Sequence, residues 1–197
     1  STYGRSQIGG FQGRALKDGD ELPLCLNAVP ERGELRLESP GYLDAAGPVR
    51  VVFGPQRDYF TDESAAVFLT NEYSVSREAD RMGMRLEGPA LEHARGYNIT
   101  SDGIVTGAIQ VPGNGLPIIL LADHQTTGGY PKIGTVISAD IPRLGRLKPG
   151  DMLSFTEVSV AEAEDARREQ EKDVKRLIGS LSPAAAWLDE EALYQEN

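Results

Sequence analysis

The stretch Leu116-Pro-Ile-Ile-Leu-Leu-Ala-Asp-His-Gln-Thr-Thr-Gly-Gly-Tyr-Pro-Lys-Ile-Gly-Thr-Val-Ile-Ser138 decides how the chain is to be read. It opens on a short apolar run, Pro117–Leu121, and closes on a β-branched one, Gly134–Ser138. Each is strand length and too short for a helix. Between them lies a polar loop. The same pattern recurs on both sides, at Leu35–Glu38, Pro48–Phe53, Ala66–Leu69, Tyr73–Val75, Met84–Leu86, Gly107–Val111 and Met152–Phe155. Asp62–Val67 reads alternatively as a short helix with Thr61 as its N-cap. Leu86-Glu-Gly-Pro-Ala90 and Val111-Pro-Gly-Asn-Gly115 supply turns. Many short strands separated by turn residues predict a mainly β fold, a barrel or a sandwich.

The remainder differs. Residues 1–156 carry 19 acidic and 15 basic side chains, whereas residues 157–197 carry 11 and 5. The last fifth therefore holds more than half of the net charge of −10. Ala161–Ile178 lacks Gly and Pro and predicts an exposed helix with an apolar stripe of Ala166, Val174, Leu177 and Ile178, ended by Gly179. Pro183 starts a second short helix, Ala184–Tyr194, with Trp187 and Leu188. The acidic balance argues against a nucleic-acid surface. No apolar run approaches the ~18 residues of a membrane span, and no signal-type core is visible. The single cysteine, Cys25, lies in Leu22-Pro-Leu-Cys-Leu26 and reads as a buried apolar residue; thiol usage fits the cytosol.

Two phrases echo each other, Leu16-Lys-Asp-Gly-Asp-Glu-Leu22 and Leu147-Lys-Pro-Gly-Asp-Met-Leu153. Each is a Gly-Asp turn leading into an apolar strand. If each closes a domain, residues 1–26 are the tail of a first one and residues 47–156 a complete second one. The opening Ser1-Thr-Tyr-Gly agrees with that division, and Asn27–Gly47 reads as a linker or crossing strand.

Chemistry concentrates between Gly96 and Pro142, where the ionisable groups apart from tyrosines are Asp102, Asp123, His124, Lys132 and Asp140. A charged group among apolar neighbours must be paired or used. Asp123 follows the buried run, Lys132 ends the polar loop, and the two form either a functional pair or a plain salt bridge. Gly128-Gly129 is either a tight turn or a nest of inward N–H groups for an anion or oxyanion. Tyr130 adds a donor and a stacking face. Arg81 is suited to grip a carboxylate substrate, unless Asp80 or Asp58 occupies it. Gln110 is a neutral two-way hydrogen bonder. His93 and His124 form no metal-ligand pattern. Phosphate-loop, dinucleotide and nucleophile-elbow motifs are absent.

Gly54-Pro-Gln56, Asp80-Arg-Met-Gly83, Ser101-Asp-Gly103, Gly107-Ala-Ile-Gln-Val-Pro-Gly113 and Ala122–Lys132 occur in that order. Together they resemble the 5-oxoprolinase C-subunit family, also labelled KipA-like, allophanate hydrolase subunit 2 or biotin-dependent carboxyltransferase. The resemblance runs from about Gly9 to Phe155. It implies cyclophilin-like β-barrel modules with short helices in two related halves. Residues 1–46 would be the tail of a truncated first half plus linker, 47–156 the complete barrel carrying the site, and 157–197 a helical extension.

The resemblance also implies a cytoplasmic enzyme component. It would be part of an ATP-dependent 5-oxoproline amidohydrolase, working with a KipI-like B-subunit on a small amide. Alternatives are a biotin-dependent carboxyltransferase acting on urea or another small amide, and a non-catalytic regulatory module. Carried onto this sequence, the catalytic residues are Asp123, Gln125, Tyr130 and Lys132. Arg81, Gln110, Thr126, Thr127, Gly128 and Gly129 bind substrate, and no metal is expected. ATP is shared with or bound by the partner, and biotin enters only in the carboxyltransferase case. His124 departs from the arginine associated with many family members.

Overall fold

A computed structural model of the chain describes Thr2, Tyr3, residues 6–23, Cys25, Ala28, and residues 33–37 and 47–183. The expected helix Ala184–Tyr194, with Trp187 and Leu188, lies outside the described residues, as does most of the expected linker. The chain divides into two compact units, Ser1–Arg36 with Pro183–Asn197, and Leu37–Ser182.

In the first unit, β1 (Thr2–Tyr3) pairs antiparallel with β2 (Ile8–Gly9), and β3 is Leu35–Arg36. The turn beyond β2 is built on Asp20, whose carboxylate accepts from the Lys17 N–H at 2.7 Å and from both terminal nitrogens of Arg14 at 2.8 and 2.6 Å. Cys25 is exposed, contrary to expectation. Leu22, three residues before it, is exposed as well.

The second unit is a barrel. Its elements are β4 (Val49–Phe53), α1 (Asp62–Thr70), β5 (Tyr73–Val75), β6 (Gly83–Glu87), β7 (Asp102–Gly103), β8 (Ala108–Gln110), β9 (Ile118–Leu120), β10 (Thr127–Gly128), β11 (Lys132–Val136), α2 (Ile141–Leu144), β12 (Met152–Leu153), β13 (Phe155–Glu157) and α3 (Val160–Gly179). Eight strands form one sheet in the order β12-β5-β6-β9-β8-β11-β4-β13. All neighbours are antiparallel except β13 and β4. The two edge strands are consecutive in the chain, with only Ser154 between them. At about 3.3 Å per residue, the edges therefore cannot be more than about 7 Å apart. The Ser154 carbonyl accepts from the Val49 N–H at 2.7 Å, and the Asp151 carbonyl from the Val75 N–H at 2.9 Å. One chain segment thus stitches both rims, which is how the sheet closes and disposes of its edges.

Three strand expectations change. Ala66–Leu69 is the second half of α1, because Thr61 accepts from the Ser64 N–H and starts a helix. Such a cap is worth about 1 kcal/mol. Met152–Phe155 is two strands, because the chain changes sheet edge at Ser154. The strand expected from Gly134 begins at Lys132.

The barrel interior holds Val49, Val51, Leu86, Ile109, Ile119 and Ile133, and α1 covers one end with Phe68. Phe68 stacks on Phe155 with ring centroids 4.3 Å apart and meets Tyr73 at 6.1 Å. Buried Asp140 ties the start of α2 to β4: it accepts from the Arg50 N–H at 2.8 Å and from the Arg50 guanidinium at 3.1 and 2.6 Å.

Helix α3 follows its sequence signals. Ser159 and Glu162 form a reciprocal capping box. Ala163, Ala166, Gln170, Asp173 and Leu177 are half-buried at alternating spacings of three and four, and Gln170 donates to the Ala139 carbonyl at 2.8 Å. Val174 and Ile178, expected on the packed stripe, are exposed. No residue of α3 is fully buried.

The two echoed phrases adopt the same turn. In each, the aspartate side chain accepts from the lysine N–H three residues earlier, at 2.7 Å for Asp20 and 3.0 Å for Asp151. In each, the aspartate N–H returns to the lysine carbonyl, at 3.1 and 3.0 Å. The intervening Gly19 and Gly150 have φ of +83° and +91°, which favours glycine there.

Candidate active site at the β8–β11 face

Lys132 is the most unusual side chain in the barrel, a lysine only 3% exposed. It opens β11 directly opposite Gln110 of β8. The register slips between Lys132 and Gly134, so Lys132, Ile133 and Gly134 are buried in succession where a regular strand would alternate. Such a bulge sets Lys132 on the Gln110 face, where a regular pleat running back from Gly134 would have sent it into the barrel interior beside Ile109. The ammonium donates to Asp102 Oδ2 at 2.8 Å and to the Gly103 carbonyl at 3.2 Å. Burying an ammonium is tolerable because both contacts are made to strong acceptors.

Asp102 and Gly103 form β7, which pairs with β10 so that Gly103 faces Thr127 and Asp102 faces Gly128. Asp102 Oδ2 also accepts from Gln56 Nε2 at 3.2 Å, and Oδ1 accepts from the Gly103 N–H at 2.8 Å. The Lys132 ammonium, then Gln56 and the Gly103 N–H, hold the Asp102 carboxyl below the usual carboxylate range. Gln56 reaches the site because the chain turns sharply at Gly54, whose φ of +109° favours glycine.

Beside this pair runs a line of amides. Buried Gln110 donates through Nε2 to the Tyr130 carbonyl at 3.4 Å, and Gln125 donates through Nε2 to Gln110 Oε1 at 3.4 Å. The donor direction runs inward, so Gln125 Oε1 is left as an outward acceptor. Gly128 is required by space: a Cβ there would stand 2.5 Å from Gln110 Nε2 and 2.6 Å from Ile104 Cδ1.

The structure corrects several expectations. Asp123 does not pair with Lys132. It takes Arg81 instead, accepting from Nε at 2.7 Å and from a terminal nitrogen at 3.1 Å. This fork-on-carboxylate contact lowers the Asp123 pKa. Arg81 is thus held by Asp123, not by Asp80 or Asp58. Asp80 caps the Met82 and Gly83 N–H groups, and Asp58 pairs with Arg95.

Thr126 to Gly129 do not form a nest. Thr127 and Gly128 are extended in β10, and neither Gly128 nor Gly129 has positive φ. The Thr126 and Gly129 carbonyls accept from the Ile104 and Ile99 N–H groups at 3.1 and 2.8 Å. Tyr130 is partly exposed, and the His124 ring contacts the Gln125 carbonyl at 2.6 Å.

The structure therefore gathers Lys132, Gln110, Gln125, Thr127 and Gly128, and sets Arg81–Asp123 apart as a pair of its own. Sequence reasoning left out Asp102 and Gln56 as site residues. The available signal was that both fall inside short phrases, Gly54-Pro-Gln56 and Ser101-Asp-Gly103, already singled out for their order.

Comparison with known proteins fits this architecture. The family model "Carboxyltransferase domain, subdomain A and B" matches residues 1–157. The 5-oxoprolinase C-subunit of Escherichia coli K12 is 36% identical over 181 residues, covering 92% of this chain and 57% of that protein. Its namesake from Haemophilus influenzae is 38% identical over 181 residues, covering 90% and 57%. The chain thus spans a little over half the length of these relatives. The crystal structure of the Kluyveromyces lactis urea carboxylase aligns with a TM-score of 0.74 at 27% identity, over 90% of this chain and 18% of that one. By sequence and by fold, this chain belongs to the carboxyltransferase-domain family, subdomains A and B.

Proposed function

We propose that this chain works as part of a 5-oxoprolinase-type amidohydrolase. In this reading it is the C-subunit, acting with a B-subunit in the cytoplasm on a small cyclic amide at the expense of ATP. The observation that carries this is the buried Lys132 ammonium, with two N–H bonds committed to Asp102 and Gly103. Its remaining N–H is then a fixed donor for an oxygen that gains negative charge. A lactam presents such an oxygen beside an N–H. Lys132 stabilises the carbonyl oxygen as the ring amide is attacked. Gln125 Oε1 accepts the amide N–H, its orientation set through Gln110. The names of the 36–38% identical relatives support the same choice.

The open cleft of about 630 Å³ lined by Phe53, Pro55, Arg57, Asp58, Asp62 and Glu157 is unsuited to a triphosphate. It offers three carboxylates, and its one arginine is paired with Asp62 at 2.7 Å. We assign nucleotide binding to the partner. The matching turns at Asp20 and Asp151 support reading residues 1–46 and 47–156 as portions of two related halves, with 157–197 an extension.

A second reading, carboxyl transfer to urea or another small amide, is favoured by the family model and by the likeness to the urea carboxylase structure. Biotin, carried on another domain, would supply the carboxyl group, and Lys132 would meet its anionic oxygen. The test is ATP-dependent glutamate release from 5-oxoproline by the whole protein assembled with its partner subunits, wild type beside Lys132→Ala. Turnover that vanishes in the variant supports the amidohydrolase. A well-formed complex with no turnover on 5-oxoproline moves the assignment to carboxyl transfer.

A further inference from the structure

We propose that Asp102 and Gln56 are positioning residues for Lys132, forming a closed hydrogen-bond ring that clamps this lysine at both ends and fixes its one uncommitted N–H. The ring can be traced atom by atom. Gln56 Oε1 accepts from the Lys132 backbone N–H at 3.2 Å. Gln56 Nε2 donates to Asp102 Oδ2 at 3.2 Å. The same Oδ2 accepts from Lys132 Nζ at 2.8 Å, which returns to the starting residue. The Gln56 backbone adds a further tie, its N–H donating to the Lys132 carbonyl at 3.2 Å.

Three features make this more than a salt bridge between a buried lysine and a half-exposed aspartate. The carboxylate cannot rotate freely, because Oδ1 is held by the Gly103 N–H at 2.8 Å. The ammonium is spanned by two acceptors of β7, Asp102 Oδ2 and the Gly103 carbonyl, and β7 is itself paired to β10. Among the described residues, Gln56 alone bonds through its side chain both to the main chain of Lys132 and to the acid holding its tip. A lysine side chain has four rotatable bonds and an ammonium that would otherwise sample several rotamers. Fixing both ends removes that freedom before any ligand arrives, which is how preorganised donors gain their advantage.

The inference rests on the assignment of Lys132 to the reaction, and the experiment separates the two. The whole protein is labelled with ¹⁵N-lysine, and the side-chain ammonium signal of Lys132, identified by its loss in Lys132→Ala, is recorded in wild type, Asp102→Ala and Gln56→Met. Turnover of each is measured in the assembled complex as separate kcat and KM.

The expected result is a sharp, slowly exchanging ammonium signal in wild type. It is lost in Asp102→Ala and broadened in Gln56→Met. In turnover, kcat falls at least tenfold in Asp102→Ala and several-fold in Gln56→Met, KM moves less than threefold, and Asp102→Glu recovers part of the loss. Gln56→Met keeps the charge pair and nearly the same volume, so it reports even if Asp102→Ala unfolds. An unchanged ammonium signal in Gln56→Met with wild-type kcat overturns the proposal. Where Lys132→Ala is inactive, so does a lost signal in Asp102→Ala with kcat intact. If Lys132→Ala itself turns over normally, the assignment of Lys132 to the reaction fails and the ammonium signal alone decides the clamp: loss in Asp102→Ala with broadening in Gln56→Met supports it, and an unchanged signal in either overturns it.

Discussion

Gly128→Ala tests the packing of the site most directly. The added Cβ would lie 2.5 Å from Gln110 Nε2 and 2.6 Å from Ile104 Cδ1. Ordinary contact begins near 3.4 Å, so Gln110 must retreat by about an ångström. Ile104 can yield through its terminal methyl. Gln110 has less room, being 3% exposed and bonded on both sides, to the Tyr130 carbonyl and to Gln125. Overpacking of this kind costs about 1–3 kcal/mol. Displacing the amide also releases Gln125, and an error of about 1 Å in a positioned group is worth on the order of a hundredfold in rate. The assay is urea unfolding of the single variants and of Gly128→Ala with Gln110→Ala, combined with turnover of the assembled enzyme. Stability should fall by about 1–3 kcal/mol in Gly128→Ala and largely return in the double variant, because the clash partner is gone, whereas turnover should not return. Wild-type stability in Gly128→Ala, or no recovery in the double variant, would refute the assignment of this glycine to the close approach of Gln110.

The neighbouring Gly129→Ala should be nearly neutral in the same unfolding assay, since a Cβ there meets only the Ile99 carbonyl at 3.5 Å. Tyr73→Phe should raise stability by about 1 kcal/mol, measured by urea midpoint. The Tyr73 ring is fully buried, its hydroxyl has no hydrogen-bond partner among the described residues, and burial pushes its pKa up to about 12; a loss of stability would reveal a partner. The Asp102 carboxyl sits below its unfolded value of about 3.9, so its contribution is full above that pH and is lost as pH falls through the folded value. Asp102→Asn should therefore flatten the acid limb of a stability-against-pH curve, and an unaltered limb would deny the Lys132–Asp102 pair. Ending the chain after Val158 should leave the barrel folded, as judged by amide dispersion, because the Val158 N–H makes its bond to Val51 at 2.9 Å and α3 buries no residue fully; insoluble product would make Ala163, Ala166 and Leu177 part of the core.

The barrel was legible because its signals are local. Val49–Phe53, Tyr73–Val75 and Ile118–Leu120 announce themselves by apolar residues between turns, and Ser159 with Glu162 marks the start of α3 by a three-residue spacing. Sequence failed where topology intervened. Ser154 looks like an ordinary strand residue, and only closure of the sheet makes it the point where the chain passes from one edge to the other. The pairing of charges failed for the same reason. Asp123 is the nearest acid preceding Lys132 in sequence, but it follows β9, which lies beyond β8 from β11 and beside β6. It therefore meets Arg81, whose backbone carbonyl accepts the Asp123 N–H at 2.9 Å. Asp102, thirty residues before Lys132, reaches the ammonium because β7 pairs with β10, only four residues before β11. The bulge after Lys132 then turns the side chain to the Gln110 face, away from the barrel interior, to receive it. Residue types in the stretch 116–138 were enough to locate the site. Which acid serves which base depends on strand order, a property of the whole barrel that no window of the sequence contains.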